Sequence, residues 1–487
     1  MTPHFLAFDL GAESGRAVVG SLYRRRLYLK EVHRFANEPV EAAGTHYWDI
    51  LSLYREMLKA MQICASRYGR NLDGIGIDSW GVDFGLLARD GSLVQNPVHY
   101  RDSRTEGIEK EVLSRMAAAE IHANTGMALS RIQTACQLLA MRLRGSPALD
   151  VADCLLMIPD LLAYFLTGEK RCERTNAIST QLYRAKTGAW WEEMFRALDL
   201  PVALMPALAS PGHPTGTLAE SIQKATGLGT VPVFFPCTHD TASAVAAVPG
   251  SGSGWAFISS GTWSVVGALS EGLIPEACAA GLCNELTLDG FFLCRNVMGL
   301  WLLQQARREW RLQGVEYSYE ALMHLAEECP PGTSVIDVDD AGFLSPASMG
   351  EAIREFCRGT EQVPPESPGA VTRSILQSLA LAYRKAIDET AGFQGRRFEV
   401  IHVVGGGSRN TLLCQFTADA TGLPVIAGPA EATVAGNVLV QALAAGVLGS
   451  AKEVREVVRR SSVLVEFSPR DTARWDELYG RYRSFSH

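Results

Sequence analysis

Apolar positions near the start of the chain run without interruption from Phe5 to Phe8, stop at Asp9, and resume after a small-residue turn as an alternating stretch through Val18, Val19 and Leu22. This pattern predicts two strands joined by a tight turn. Arg24-Arg25-Arg26 then falls between two short strands and reads as the solvated tip of a hairpin. From Tyr47 to Tyr68 the period changes: Ile50, Leu53, Met57, Met61 and Cys64 recur at helical spacing, with Asp49 placed to cap the start and Gly69 following the end. A strand over Gly74 to Ser79 follows, then a hairpin turned at Asp90-Gly91, then several helices between Arg104 and Thr167. Strands alternating with helices predict an α/β layered architecture.

The second half repeats this grammar. Residues 7–22 read AFDLGAESGRAVVGSL and residues 256–269 read AFISSGTWSVVGAL, each a strand, a Gly/Ser turn and a second strand ending Val-Val-Gly-x-Leu. The echo implies two similar halves, with a boundary between Ala246 and Gly254 where VPGSGSG supplies turn residues. Domains over 1–247 and 248–487 are therefore expected, meeting across a cleft. Beyond Pro364 to Gly369, a helix with Ile375, Leu379, Ala382 and Ala386 on one face is expected to end at Gly392. A strand from Val400 to Val404 then runs into Gly405-Gly406-Gly407, and Thr433 to Ala445 reads as a buried helix.

Composition narrows the class. At roughly 150 residues per domain, 487 residues imply two or three folding units. A hydrophobic share of 47%, a charged share of 20% and a mean hydropathy of +0.04 exclude intrinsic disorder and fibrous repeats. The net charge of −8 supplies no global field for nucleic acid or an anionic membrane, and neither is an expected partner. No apolar run approaches a bilayer span and no secretory leader is evident, so the cytoplasm is expected. Eleven cysteines without a Cys-x-x-Cys pair read as small core residues rather than zinc ligands or a redox couple.

Three Gly-rich turns follow strands: Asp9 to Arg16, Ser259 to Trp263, and Gly405 to Asn410. Such turns let backbone N–H groups approach phosphate oxygens, although each is equally a plain structural turn. Neither a Walker loop nor a dinucleotide fingerprint is present. Asp9 could hold a Mg²⁺ that bridges to phosphate, or cap its own backbone. In Thr238-His239-Asp240-Thr241, Asp240 is the candidate base for a substrate hydroxyl with His239 and Thr241 orienting it; a helix cap is the alternative. Trp80, Gly81 and Asp83 with Arg101 offer an aromatic face and charged groups suited to a polyhydroxylated ligand, with Asn296 and Trp301 as possible additions. An internal ion pair of Arg101 with Asp102 or Asp83, beside a core tryptophan, explains the same residues.

Together these segments resemble the FGGY carbohydrate kinases over essentially the whole chain. IGIDSWGVDF, YRDSRT, MIPDLLAYFLTG, THDTASAV, SSGTWS, NVMGLWLLQ and HVVGGGSRN, in that order, carry the resemblance. It implies two ribonuclease H-like domains of the actin and hexokinase type around a central cleft. It also implies that Asp240 accepts the proton and that Gly81, His239, Thr241 and Asn296 contact the sugar. The loop of Ala12, Glu13, Ser14, Gly15 and Arg16 would meet ATP together with Thr262, Gln304 and Gly405, Gly406 and Gly407. Glu13 departs from the family pattern, which has a small hydroxyl residue there, and is expected to point away from the phosphates.

The reaction implied is ATP- and Mg²⁺-dependent phosphorylation of a ketose, with L-rhamnulose the expected acceptor at its C1 hydroxyl. L-Fuculose, L-ribulose or D-xylulose are alternatives inside the family, and a non-kinase actin-like ATPase is the alternative outside it. The protein is expected to act as a monomer or homodimer on small molecules alone.

Overall fold

The structure, a computed structural model, describes residues 2–485. It folds into two compact units. The first comprises residues up to Ala247 together with Ser270–Phe292 and Ala432–Ser461, and the second Val248–Leu269, Leu293–Glu431 and the chain from Ser462. Two segments of the second half of the chain thus return to the first unit, which chain-contiguous halves do not anticipate.

The first unit is built on a sheet of β1 (His4–Leu10), β2 (Ser14–Tyr23), β3 (Arg26–Ala36), β4 (Gly74–Ser79), β5 (Pro214–Thr217) and β6 (Pro232–Phe234), in the order β5-β6-β4-β1-β2-β3. β1 and β2 form the expected antiparallel hairpin, while β1 and β6 both run parallel to β4. Arg24 and Arg25 form the β2–β3 turn with φ of 50° and 57°. Helix Ile50–Tyr68 is capped by Asp49, whose side chain accepts from Ser52 N, and it buries Leu53, Met57, Met61 and Cys64. Cys64 and the β1 residues Leu6, Phe8 and Leu10 share one core of aliphatic and aromatic side chains.

Helix Ala432–Ala444 lies hard against this sheet. A Cβ at Gly76 would stand 2.5 Å from Asn437 Oδ1, and one at Gly74 3.0 Å from Gln441 Oε1. Side chains of the helix fill the space that a side chain at Gly76 would need and stand close to Gly74.

The hairpin expected from Trp80 to Val94 is only half formed. A turn at Asp90-Gly91 is present, with Asp90 accepting from Ser92 N, and the returning arm is bound through the Leu87–Leu93 bridge, with Ala88 N donating to Ser92 O and Val94 N to Leu86 O, but the extended ladder of Phe84–Ala88 is made with Ala152–Met157. The non-local strand, buried over Cys154–Met157, offers Phe84–Ala88 a longer apolar partner than the arm Ser92-Leu93-Val94.

A second sheet repeats the arrangement. β7 (Trp255–Ser260), β8 (Trp263–Ser270), β9 (Cys283–Thr287), β10 (Gly290–Met298), β11 (Val400–Val404), β12 (Val425–Ala427) and β13 (Val465–Phe467) lie in the order β9-β10-β8-β7-β11-β12-β13. β7 and β8 are an antiparallel hairpin and β7 runs parallel to β11, so β3-β2-β1-β4-β6 and β10-β8-β7-β11-β12 share one strand order. The echo between residues 7–22 and 256–269 is therefore an echo of topology. The long helix Pro368–Gln394 buries Ile375, Leu379, Ala382 and Ala386 as expected, but it passes through Gly392 and ends at Gly395, which takes the left-handed φ of 62° that a terminating residue adopts.

All eleven cysteines are free, and no helix among the described residues is long and apolar enough to cross a membrane.

Candidate active site

The carboxyl ends of β1 and β4 place Asp9 and Asp78 in register on neighbouring parallel strands. Ligands of open α/β sheets bind at such strand ends. Asp9 is also paired across the hairpin with Arg16, whose guanidinium reaches Asp9 Oδ2 at 2.8 Å and 2.7 Å. Gly11 N donates to Ser14 O, and buried Asn37 pins the turn by donating its Nδ2 to Gly11 O and its N to Glu13 O. Gly15 has no room for a side chain because a Cβ there would overlap the Phe35 ring. Glu13 is exposed, while Ala12, Ser14 and Arg16 are half-buried.

Asp78 is fully buried. Asn437 Nδ2 donates to its Oδ2 at 2.5 Å, and Gln441 in turn donates to Asn437 Oδ1 and to Leu6 O. Asp78 Oδ1 has no hydrogen-bond partner. Burial, and then the charge of Asp9, hold the Asp78 carboxyl well above the usual carboxylate range, against the bond from Asn437.

Beside β4, Ser79 N donates to Thr238 O and Ser79 bridges to His239, so the segment Cys237–His239 prolongs the sheet edge and delivers Asp240 as the first residue of helix Asp240–Ala246. Glu173, fully buried, anchors this segment: its carboxylate accepts from Thr238 N and Oγ1 at 3.0 Å each and from Thr175 N at 3.0 Å. Burial raises Glu173 even so. Asp240 Oδ1 accepts from Thr241 N at 2.5 Å and Thr241 Oγ1 at 3.2 Å, and lies 3.5 Å from His239 Nε2; none of these contacts uses Oδ2. Burial raises the Asp240 carboxyl, the His239 charge lowers it, and the Asp9 charge raises it again, with a net upward displacement.

His239 Nδ1 lies 3.3 Å from Glu285 Oε2 on β9. Burial disfavours the imidazolium, but the Glu285 carboxylate, then Asp240 and Glu173, outweigh it and lift His239 to about 9. A Cβ at Gly81 would come within 2.9 Å of Ser179 Oγ and 3.6 Å of the His239 ring, so Gly81, His239, Asp240 and Thr241 lie together.

Asp83 occupies a different place from the one expected. It is fully buried, and its oxygens accept from Trp48 Nε1 at 2.6 Å, Gln137 Nε2 at 2.9 Å, Trp80 Nε1 at 3.0 Å and Tyr100 N at 3.3 Å. With both oxygens engaged, Asp83 holds the aromatic groups in place, and no face of it is open to a ligand. Burial lifts it to about 6 against the bonds from Trp48, Gln137 and Trp80 and the nearby Arg104 charge. Trp48 stacks on His99 at 4.1 Å and meets Trp80 at 4.2 Å. Arg101 pairs with neither Asp102 nor Asp83; it is exposed, its guanidinium lying 5.5 Å from the Tyr100 ring centroid. The loop is strained at Val82, a β-branched residue at φ 68°, held by Ser179 Oγ, Thr134 Oγ1 and Gln137.

The second unit gathers its own expected group. Gly299 N and Trp301 N donate to Thr262 O, Leu300 N donates to Gly261 O, and Thr262 Oγ1 donates to Gln304 Oε1 at 3.2 Å. The start of helix Trp301–Leu312 is thereby fastened to the β7–β8 turn. Gly405 lies at φ 81° with a Cβ position 2.9 Å from Ser260 O, and a Cβ at Gly407 would stand 2.5 Å from Ser260 Cβ and overlap its hydroxyl. Gly406 between them is exposed with nothing within 4 Å of its Cβ position, leaving a bare backbone surface. Asn410 caps helix Thr411–Thr421 behind this turn. Asn296 is exposed on β10, whereas Trp301 donates its indole N–H to Phe343 O and packs on the core.

Glu285, Glu173 and Asn437 were not singled out from sequence. Glu173 has a local signal in Glu-x-Thr, the pattern of a carboxylate capping the next turn; Glu285 and Asn437 come from distant segments and carry none. Asp78 lies at the end of a legible strand, but its partnership with Asp9 depends on register.

Residues 4–247 match the N-terminal domain of the FGGY family of carbohydrate kinases, and residues 256–445 match its C-terminal domain. The chain is 41% identical to a rhamnulokinase of Bacteroides thetaiotaomicron over 99% of both chains. It is 37% identical to a rhamnulokinase of Pectobacterium carotovorum over 99% of this chain and 96% of that one. Its fold is similar to that of a xylulose kinase from Lactobacillus acidophilus, with a TM-score of 0.81 at 14% identity, covering 99% of this chain and 97% of the other.

Proposed function

Because the chain belongs to the FGGY family of carbohydrate kinases, we propose that it transfers the γ-phosphoryl group of ATP to the C1 hydroxyl of L-rhamnulose, giving L-rhamnulose 1-phosphate and ADP in L-rhamnose catabolism. The observation that carries the choice of sugar is the 41% identity to a rhamnulokinase along 99% of both chains. The protein acts in the cytoplasm, where ATP is supplied.

Phosphoryl transfer asks little covalent chemistry of a protein; it asks for alignment, charge neutralisation and a group to take the acceptor's proton. Asp240 is that group. Its Oδ1 is occupied by Thr241, so Oδ2 is the oxygen that receives the hydroxyl proton. Gly81, His239, Thr241 and Asn296 contact the sugar, with Trp80 and Arg101 at its edge, and Asp83 acts indirectly by fixing Trp80. Ala12 to Arg16, Thr262, Gln304 and Gly405 to Gly407 contact ATP. The residues proposed for the sugar lie in the first unit apart from Asn296, with one phosphate loop beside them, and the second unit carries the other phosphate loop and the adenosine site.

Mg²⁺ fits this donor set. Asp78 Oδ1 is buried and unpartnered beside Asp9. One or two carboxylates are what Mg²⁺ takes from a protein when phosphates and water supply its other ligands. Asp9, with Asp78 next to it, would hold the ion, which when bound neutralises charge on the phosphates.

ADP release by purified protein with Mg-ATP, measured against L-rhamnulose, L-fuculose, L-ribulose, D-xylulose and a blank without sugar, tests the reading. Strong stimulation by L-rhamnulose above the others is expected. Stimulation by a different ketose would move the acceptor, and sugar-independent hydrolysis would remove the kinase assignment.

A further inference from the structure

Asp240 and His239 do not stand alone, because a second carboxylate closes the group from the far side. Glu285 Oε2 lies 3.3 Å from His239 Nδ1, and His239 Nε2 lies 3.5 Å from Asp240 Oδ1, so the imidazole lies between two carboxylates, one near each ring nitrogen. The Glu285 side chain is 7% exposed and that of His239 16% exposed, against 36% for Asp240, so the row runs from the interior outward to the base. Glu285 sits on β9, inside the Ser270–Phe292 segment that returns to the first unit.

We propose that Glu285 is a positioning residue for phosphoryl transfer, holding His239 as an imidazolium that keeps its Nε2–H turned to Asp240 Oδ1 and so leaves Asp240 Oδ2 ionised for the acceptor hydroxyl. This rests on the kinase reading above.

Three features support it. A neutral imidazole carries one N–H and one bare nitrogen; beside two carboxylates the bare nitrogen would face an oxygen lone pair, and protonation removes that repulsion. The contacts to Asp240 from Thr241 N, Thr241 Oγ1 and His239 all converge on Oδ1, and a base held by one oxygen presents the other in a fixed direction. The charged groups that bear most on His239 are anions: Glu285 from β9, Asp240 from its own helix and Glu173 from the segment beneath. Those anions outweigh burial and lift the imidazole to about 9, so it stays charged where a kinase works.

Replacing the Glu285 carboxylate with the isosteric amide removes the largest support of the imidazolium. His239 then loses its proton at a lower pH, its downward pull on Asp240 is lost, and the Asp240 carboxyl moves up. For Glu285→Gln the expected result is a kcat lowered by about 10-fold, an acidic limb of the pH–kcat profile moved up by about one unit, and an unchanged KM for ATP. Glu285→Asp, which keeps the charge, should return the acidic limb toward its original position.

The imidazole can also be followed without turnover, by ¹³C-labelled histidine NMR with His239→Asn to assign the signal. His239 should titrate above pH 8 in the unaltered protein and below about pH 7.5 in Glu285→Gln. A His239 that titrates near 6.5 in the unaltered protein overturns the proposal even if Glu285→Gln does not fold. A kcat profile and His239 titration unmoved by Glu285→Gln would make Glu285 a packing residue only. If the panel shows another ketose as acceptor, the same test runs on that sugar; if no sugar is phosphorylated, the kinase reading fails, and the NMR titration still decides whether Glu285 holds the imidazolium.

Discussion

Gly436 faces the backbone of Ser243 so closely that a Cβ there would stand 2.7 Å from the Ser243 carbonyl carbon and overlap its oxygen. Helix Ala432–Ala444 and helix Asp240–Ala246 therefore meet backbone to backbone, and the position of Asp240 depends on that contact. A methyl group at Gly436 cannot be absorbed by a rotamer change, because the obstacle is a carbonyl. Gly436→Ala should cost about 2–4 kcal/mol of stability and lower kcat with it, read by urea denaturation and steady-state kinetics. An alanine variant of normal stability would mean that the two helices separate freely.

Asp240→Asn keeps the shape of the side chain and removes its basicity. Turnover should fall by about 10² to 10⁴-fold, while nucleotide affinity, measured by calorimetry, stays within about twofold. Substantial activity in the amide variant would assign the proton to another acceptor.

Asp83 gives a pH signature with a definite sign. Its folded-state carboxyl is lifted from an ordinary 3.8 to about 6, so its neutral form is favoured by folding. The stability it contributes is present below about pH 4 and is lost as pH rises through about 6. Asp83→Asn cannot titrate, so the unfolding free energy of the unaltered protein relative to this variant should fall by roughly 3 kcal/mol between those limits. A constant difference across the window would show that Asp83 ionises as readily folded as unfolded.

The three glycines after β11 should separate into two kinds. Gly407→Ala drives a Cβ into Ser260 and should lower Tm by at least about 3 °C. Gly406→Ala meets nothing within 4 Å and should leave Tm within about 1 °C while raising the KM for ATP, because the added methyl covers the bare backbone surface proposed for the nucleotide. Equal behaviour of the two variants would remove Gly406 from the nucleotide site.

The strands, the helix Ile50–Tyr68 and the turn glycines were legible because their signals are local. Hydrophobic period, a capping Asp49 and a glycine after an apolar run act within a few residues, so the chain announces them without reference to its fold. The same locality explains what was missed: the helix expected to end at Gly392 runs on to Gly395 because burial along Pro368–Gln394 overrides one glycine's weak helix propensity, and Phe84–Ala88, still bonded to its neighbouring arm, gains a distant second partner in Ala152–Met157 that no local signal announces.

By itself the sequence determined which residue types stand at the ends of elements: Asp9 at the end of β1, Asp240 at a helix start, glycines after β7 and β11. Tertiary structure alone decided their partners. Asp78 faces Asp9 through strand register, Asn437 reaches Asp78 across 359 positions, and Glu285 reaches His239 from a segment that crosses back into the first unit. It also turned Asp83 from a ligand-facing carboxylate into the buried anchor of Trp48 and Trp80. Local propensities act over one or two turns of chain, whereas the charge state and direction of a buried side chain depend on groups within a few ångströms in space, wherever they lie along the chain.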